Sequence, residues 1–342
     1  MPIKNSLRSP VKTDIAHTIK FVERELKQVR GLIERQLKVI RLDEGVKRLV
    51  SSLDVCSGKM IRPALVLMSG AACGPITDRH IRIAAIIEML HNATLLHDDV
   101  IDEGRVRRGK PTANSLFGNE PAVLLGDFLL SRLFKLCAQL EPDILTFIAS
   151  TTARICEGEL SQMIHRNDFS LNEKEYLKII TEKSAALFSD CCFLGALLAG
   201  ACEKEKKALS DFGLNFGIAF QLADDLIDIV GDENKSRKTL GSDVNKNKPT
   251  LVLIDLLRRL TPAERKKLIR QLSAVRHGQV HNNDISTKTL AKMVESKGSA
   301  RYVRCQIGRF IERALFTLKA LKDSAAKKAL IDTAKCISKL TA

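Results

Sequence analysis

Six aspartates in two short runs are the residues of this chain best placed to do chemistry. The first run is Leu95-Leu96-His97-Asp98-Asp99-Val100-Ile101-Asp102, the second Phe220-Gln221-Leu222-Ala223-Asp224-Asp225-Leu226-Ile227-Asp228. Both read Asp-Asp-x-x-Asp inside apolar sequence with helical periodicity. Residues four apart share one face of a helix, so Asp98 stands over Asp102 and Asp224 over Asp228. Hard divalent cations prefer carboxylate, water and phosphate oxygens. Six aspartates with no partner histidines or cysteines suit Mg²⁺ and suit zinc poorly. A single run could be a solvated polar face. Two runs in apolar helices cannot both be explained that way, because buried unpaired carboxylates are expensive. The spacing implies facing walls of one metal-filled cavity.

Cations accompany each run. Lys59 and Arg62 stand three apart in Gly58-Lys59-Met60-Ile61-Arg62-Pro63. Arg105, Arg107, Arg108 and Lys110 follow the first aspartates, Lys183 lies between the runs, and Lys238, Lys246 and Lys248 follow the second. Arginine grips phosphate with a planar fork and lysine as a point charge. Any one of these alone reads as a surface charge. Their repeated position beside metal-binding carboxylates describes a diphosphate pocket.

The elements that must hold these groups are helices. The pattern predicts helices over 14–40, 61–70, 78–97, 120–140, 142–164, 172–200 and 204–230, with short breaks at 73–75, 104–111, 166–168 and 231–249. No break resembles an interdomain linker. The expectation is one all-α domain over 1–342, with a basic N-terminal arm at 1–13 and a loop-rich stretch at 277–287. Hairpin signals are scarce and argue against an all-β fold. No apolar run approaches the roughly 18–20 residues that span a bilayer. The basic N-terminus lacks the apolar core of a secretory signal. Nine scattered cysteines without a Cys-x-x-Cys pair fit reduced thiols and a cytoplasmic location.

The net charge of +15 is lopsided. From position 234 onward there are 25 Lys plus Arg against 8 Asp plus Glu, so the whole excess lies in the last third. A solvated helical surface is the simpler reading, and peripheral contact with anionic membrane the functional one. With no Trp and two Tyr, the chain has little to stack on single-stranded nucleic acid, and no nucleic-acid role is expected.

These residues, taken together, resemble the trans-isoprenyl diphosphate synthases, or polyprenyl synthetases. The matching segments are Gly58-Lys59-x-x-Arg62-Pro63; Leu96 to Asp102; Arg107-Arg108-Gly109-Lys110-Pro111-Thr112; Gly126-Asp127; Lys183-Ser184-Ala185; Phe220 to Asp228; and Gly241-x-Asp243-x-x-x-x-Lys248-Pro249-Thr250-Leu251. They follow the family's order from about residue 50 to 260. The resemblance implies an orthogonal helical bundle of the isoprenoid synthase type around a central Mg-diphosphate cavity. It implies head-to-tail condensation of isopentenyl diphosphate with an allylic diphosphate, in a homodimer.

By the same resemblance, about three Mg²⁺ (Mn²⁺ being an alternative) are held by Asp98, Asp102 and Asp224, with Asp99, Asp225 and Asp228 supporting. Arg107, Lys183, Lys238 and Lys248 would hold the allylic diphosphate. Lys59, Arg62, His91 and Arg108 would hold isopentenyl diphosphate. Ser184 and Gln221 would lie near the reacting carbons; family members more often carry Thr where Ser184 stands, which keeps the hydroxyl. The growing tail in this family runs between helices away from the metals, and a side chain before the first run acts as floor. Here Ala93 and Thr94 are small where short-chain enzymes are aromatic. One helical turn rises about 5.4 Å, close to one isoprene unit. The context therefore resembles the octaprenyl-to-decaprenyl enzymes, with farnesyl or geranylgeranyl synthesis as the alternative. Terpene cyclases and head-to-head synthases also use aspartate-rich helices, but would not be expected to keep Lys59, Arg62, Arg108 and a second complete Asp motif. Accessory subunits characteristically lose one of the two Asp runs.

Overall fold

The computed structural model describes residues 15, 17–38, 43–53, 55–56, 58–231, 241–274 and 286–340. A 3₁₀ turn at Lys20–Val22 leads into α1 (Glu23–Leu37), followed by α2 (Glu44–Ser51), α3 (Ile61–Cys73) and α4 (Asp78–Ile101). A two-stranded ribbon, β1 (Val106–Arg107) and β2 (Lys110–Pro111), precedes α5 (Ala113–Phe117), α6 (Asn119–Cys137) and α7 (Pro142–Ile164). Next come α8 (Glu173–Ile180), a π-helical turn at Thr181–Ala185, α9 (Ala186–Leu198) and α10 (Glu203–Val230). The rest comprises α11 (Ser242–Asn245), α12 (Leu251–Arg259), α13 (Pro262–Ala274), α14 (Thr287–Ser296), α15 (Ser299–Thr317) and α16 (Ala325–Leu340). The fold is all-α, as the periodicity predicts.

Helix α4 is buried at every position from Ile83 to Leu90, the signature of a helix surrounded by others. It packs on α1, α3 and α6, while α9 lies between α3 and α10, and α15 covers α10. On α10 the i, i+4 series Phe212, Phe216, Phe220 forms a column on one face. Phe188 of α9 meets it edge-on at 5.4 Å from Phe216 and tilted at 5.3 Å from Phe220. Each such aromatic pair contributes about 0.5–1.5 kcal/mol beyond burial. The same i+4 series continues into Asp224 and Asp228, so the rings that anchor α10 also fix the face its carboxylates present.

Three differences from the sequence-based expectation matter for the site. Helix α4 runs to Ile101 rather than His97, because Asp102 N still donates to Asp98 O at 2.8 Å. Both ends of the first Asp run therefore sit on its last turn. The single helix expected over 172–200 is divided by the π turn. The break at 104–111 is a hairpin: Val106 pairs with Pro111 and Arg107 with Lys110, across a turn in which Arg108 (φ 55°) and Gly109 (φ 78°) are both left-handed. Positive φ at both central residues is the geometry that matches strand twist in two-residue hairpins. Of the loop-rich stretch, 277–285 lies outside the described residues, whereas Ser286 caps α14 and Thr287 is its first residue. The N-terminal arm at 1–13 and Lys238 also lie outside them.

Candidate active site

The hairpin aims two consecutive arginines in different directions. Arg107 grips Asp99 with both Nε (3.0 Å to each oxygen) and Nη2 (2.7 Å to Oδ1). Asn114 Nδ2 donates to the Asp99 and Gly104 carbonyls, binding the hairpin to the end of α4. Arg108 instead reaches Gly58. A Cβ on Gly58 would come within 2.7 Å of the Arg108 Nη2, so the absence of a side chain at Gly58 lets this guanidinium lie here without shifting. Holding Arg108 in the left-handed region costs about 1–2 kcal/mol, a strain that persists where surrounding contacts enforce it.

Arg62, in the first turn of α3, is buried with its guanidinium 4.4 Å over the Phe188 ring, and its Nη1 donates to His91 Nε2 at 2.9 Å. Burial, followed by Arg62, pushes His91 well below the usual imidazole range, so it is neutral and accepts this bond. Glu88, one turn earlier on α4, is almost fully buried. Burial pushes its carboxyl up, while Arg62 and Asn92, which donates to Oε1 at 3.2 Å, pull it down. Of the charges around Arg62, Glu88 does most to favour its charged form. Arg62 Nε has no hydrogen-bond partner among the described residues, which suits an oxygen-rich ligand.

The two aspartate runs have different surroundings. Burial raises Asp98 to about 6, with Lys183 opposing. Burial also pushes Asp102 up, but Lys248 (Nζ to Oδ2 2.7 Å) and Lys246 outweigh it and hold it below the usual carboxylate range. Arg166 adds a bond of 2.8 Å to Oδ1. Asp225 accepts from Tyr176 Oη (2.5 Å) and Gln221 Nε2 (2.7 Å). Asp228 accepts from the backbone N–H groups of Ser242 (3.3 Å) and Asp243 (3.0 Å). Burial, then Asp243, raises Asp225 to about 8 and Asp228 to about 7. Asp243 is itself pushed up by burial, against the pull of Lys248.

Lys183 and Ser184 sit in the π turn, a local form frequent at functional sites. A Cβ at Gly158 of α7 would collide with the Lys183 backbone, so glycine permits this close approach. Lys183 pairs with Glu159 and donates to Gln162 Oε1 at 2.8 Å. Arg154 binds the adjacent Glu182 at 3.0 Å, holding the turn from the other side. Ala93 is fully buried in α4 and Thr94 half-buried, its hydroxyl donating to the His91 carbonyl at 2.9 Å.

The donor set fits divalent metal. Asp225 is buried and Asp228 and Asp243 half-buried, all three with raised proton affinity, an excess of negative charge that a hard cation relieves. Among the described residues no His, Cys, Asp or Glu trio is already gathered as a cage. Spacing arguments had given Glu88, Tyr176, Glu159, Gln162 and Arg166 no role. Glu88 alone left a trace, as the one acid in the apolar stretch from Ile83 to Leu90. Asp243 stood in a quoted motif without a function.

The site is thus an all-helical bundle whose α4 and α10 carry aspartate-rich turns, with cations arrayed around them. The polyprenyl synthetase family profile matches residues 44–294. The chain is 37% identical over 278 residues to the octaprenyl diphosphate synthase of Escherichia coli K12, covering 81% of this chain and 84% of that protein. It is 35% identical over 331 residues to the all-trans-nonaprenyl-diphosphate synthase (geranyl-diphosphate specific) of Rhodobacter capsulatus, covering 96% and 95%. Its fold superimposes with a TM-score of 0.87 on the Caulobacter crescentus CB15 polyprenyl synthase complexed with calcium and isoprenyl diphosphate, at 29% identity over 95% of this chain and 97% of that one. The chain belongs to the polyprenyl synthetase family.

Proposed function

We propose that this chain elongates an allylic diphosphate with isopentenyl diphosphate to a long all-trans polyprenyl diphosphate of roughly C30 to C50. The residue that supports the length is Ala93, five positions before Asp98 on α4 and small where the short-chain enzymes that the sequence resembles are aromatic. Kinship with octaprenyl and nonaprenyl synthases points the same way.

In this reading Asp98, Asp102 and Asp224 hold about three Mg²⁺ (Mn²⁺ as substitute), with Asp225 and Asp228 behind them. The metal, when bound, neutralises charge growing on the departing diphosphate. Asp99 acts through Arg107, which it holds toward the site. Lys183 and Lys248 release their carboxylate partners to bind the allylic diphosphate, and Lys238 binds it with them. Lys59, Arg62, His91 and Arg108 bind isopentenyl diphosphate, with neutral His91 and buried Glu88 orienting Arg62. The allylic C–O bond breaks with its electron pair on diphosphate. The isopentenyl double bond attacks the resulting cation, and the proton lost from C2 passes to the departing diphosphate, so no protein base is required. Ser184 lies beside the reacting carbons, and Gln221 both faces them and donates to Asp225.

The single domain spans 1–342 and pairs with a second copy. Apolar side chains left exposed on α6 and α7, among them Leu124, Phe134, Leu160 and Ile164, supply surface for that pairing. No helix among the described residues is long and apolar enough to cross a membrane. The basic last third offers peripheral contact with an anionic membrane. The reading is tested by incubating the protein with Mg²⁺, isopentenyl diphosphate and separate C5, C10, C15 and C20 primers, then sizing the dephosphorylated prenols. A ladder reaching roughly C30 to C50 supports it. Products ending at C15 or C20 assign it to farnesyl or geranylgeranyl synthesis.

A further inference from the structure

Helices α15 and α16 pack side by side, and residues 299–340 hold ten Lys or Arg against three acidic residues. The inward face of α15 is apolar: Val303, Ile307, Phe310, Ile311 and Ala314 are buried. Its outward positions are Arg301, Cys305, Arg309, Glu312, Arg313 and Phe316, four cations to one acid once Lys319 of the next 3₁₀ turn is included. Spacings of three and four put these on one face.

Some cations of the last third are neutralised: Arg258 and Arg259 share Asp255, Lys297 pairs with Glu264, and Arg304 with Glu295. Others, such as Lys266, Lys267 and Arg270 of α13, are exposed without a carboxylate partner among the described residues. The outward stripe of α15 joins such charges to an exposed aromatic ring. Arg301, Arg309, Arg313 and Lys319 have no carboxylate partner among the described residues, and Arg309 and Arg313 are like charges one turn apart. Like charges at that spacing cost a few tenths of a kcal/mol. Phe316 stands among them 68% exposed, with Lys319 Nζ 4.7 Å from its ring centroid. On α16, Lys328 and Lys335 are exposed as well.

We infer that the outward face of α15 and α16 docks on an anionic lipid bilayer, its cations against headgroup phosphates and Phe316 in the interfacial layer. A straight basic helix face with one protruding apolar ring is the chemistry of peripheral membrane contact. Nucleic acid is the weaker match, because Tyr176 is buried, Tyr302 is half-buried and the chain has no Trp. The inference rests on the polyprenyl product only for its purpose, delivery of a very apolar tail. The surface itself stands independently.

Cosedimentation with vesicles tests it. Wild-type protein should pellet with phosphatidylcholine vesicles carrying about a third phosphatidylglycerol, stay in solution with pure phosphatidylcholine, and be released as salt rises. Each cation near such a surface contributes about 1 kcal/mol, or roughly fivefold in partitioning, so Arg309→Glu/Arg313→Glu/Lys319→Glu should bind more than tenfold less. Phe316→Ser should weaken binding several-fold at a salt concentration that screens the charges. Both variants should keep the wild-type melting temperature and wild-type turnover of a water-soluble primer. Wild type remaining in solution with anionic vesicles at low salt overturns the inference. So does a triple variant that pellets equally, or displacement of the protein from vesicles by an equal charge concentration of duplex oligonucleotide. Absence of prenyl elongation would overturn the proposed function while leaving the vesicle result intact.

Discussion

Lys248 Nζ lies 2.7 Å from Asp102 Oδ2, joining residues 146 positions apart and tying the segment after α11 to the last turn of α4. Asp102 and Asp243 together hold Lys248 charged despite its burial. One lysine thus bridges both aspartate-bearing regions. Lys248→Ala should leave Asp102 with Arg166 and Lys246, and should lower kcat/KM for the allylic substrate by roughly 10²–10³, since a preorganised charge at the leaving group is removed. Steady-state kinetics with each substrate varied in turn should place the loss there, with the KM for isopentenyl diphosphate little changed. An equal rise in both KM values would contradict the assignment.

Ala93→Phe should shorten the product, read by chromatography of the dephosphorylated prenols. Ala93 is fully buried, so the ring also overpacks α4 at a cost of about 1–3 kcal/mol, visible as a lower melting temperature. Shorter products with preserved turnover support the floor position. An unchanged long distribution removes it.

Metal dependence should appear in stability as a function of pH. Asp225 and Asp228, raised to about 8 and 7 by burial and Asp243, ionise near 4 in the unfolded chain. The folded state therefore binds more protons across that interval. The stability these two groups confer is full below about pH 4 and drains away as pH rises toward 7–8. A divalent cation offsets the charge that appears. Mg²⁺ with diphosphate should therefore raise the melting temperature more at pH 8 than at pH 5.5, and chelation should reverse it. An equal rise at both pH values would contradict this electrostatic account.

Much of the site was legible because a four-residue repeat of aspartates has one geometric consequence on a helix. The Asp98–Asp102 and Asp224–Asp228 pairs followed from spacing alone, and the buried runs around them from uninterrupted hydrophobicity. The hairpin was hidden because its decisive feature is an arginine, Arg108, with positive φ, which no propensity signals. The π turn was hidden for a different reason. Thr181 to Ala185 reads as ordinary helix, and what marks the turn is its close contact with Gly158 and Arg154 across the bundle. Tyr176 and Glu159 were missed likewise: each gains its meaning from a partner remote in sequence.

The central claim is that both aspartate runs act on one diphosphate-bearing substrate. It is tested most directly by measuring Mg²⁺-dependent incorporation of isopentenyl diphosphate into prenols by Asp98→Ala and Asp224→Ala, each checked for native melting. The account predicts that either change alone lowers turnover by about 10³ or more, as expected when charge stabilisation at a leaving group is lost. Near wild-type incorporation by either variant would contradict it.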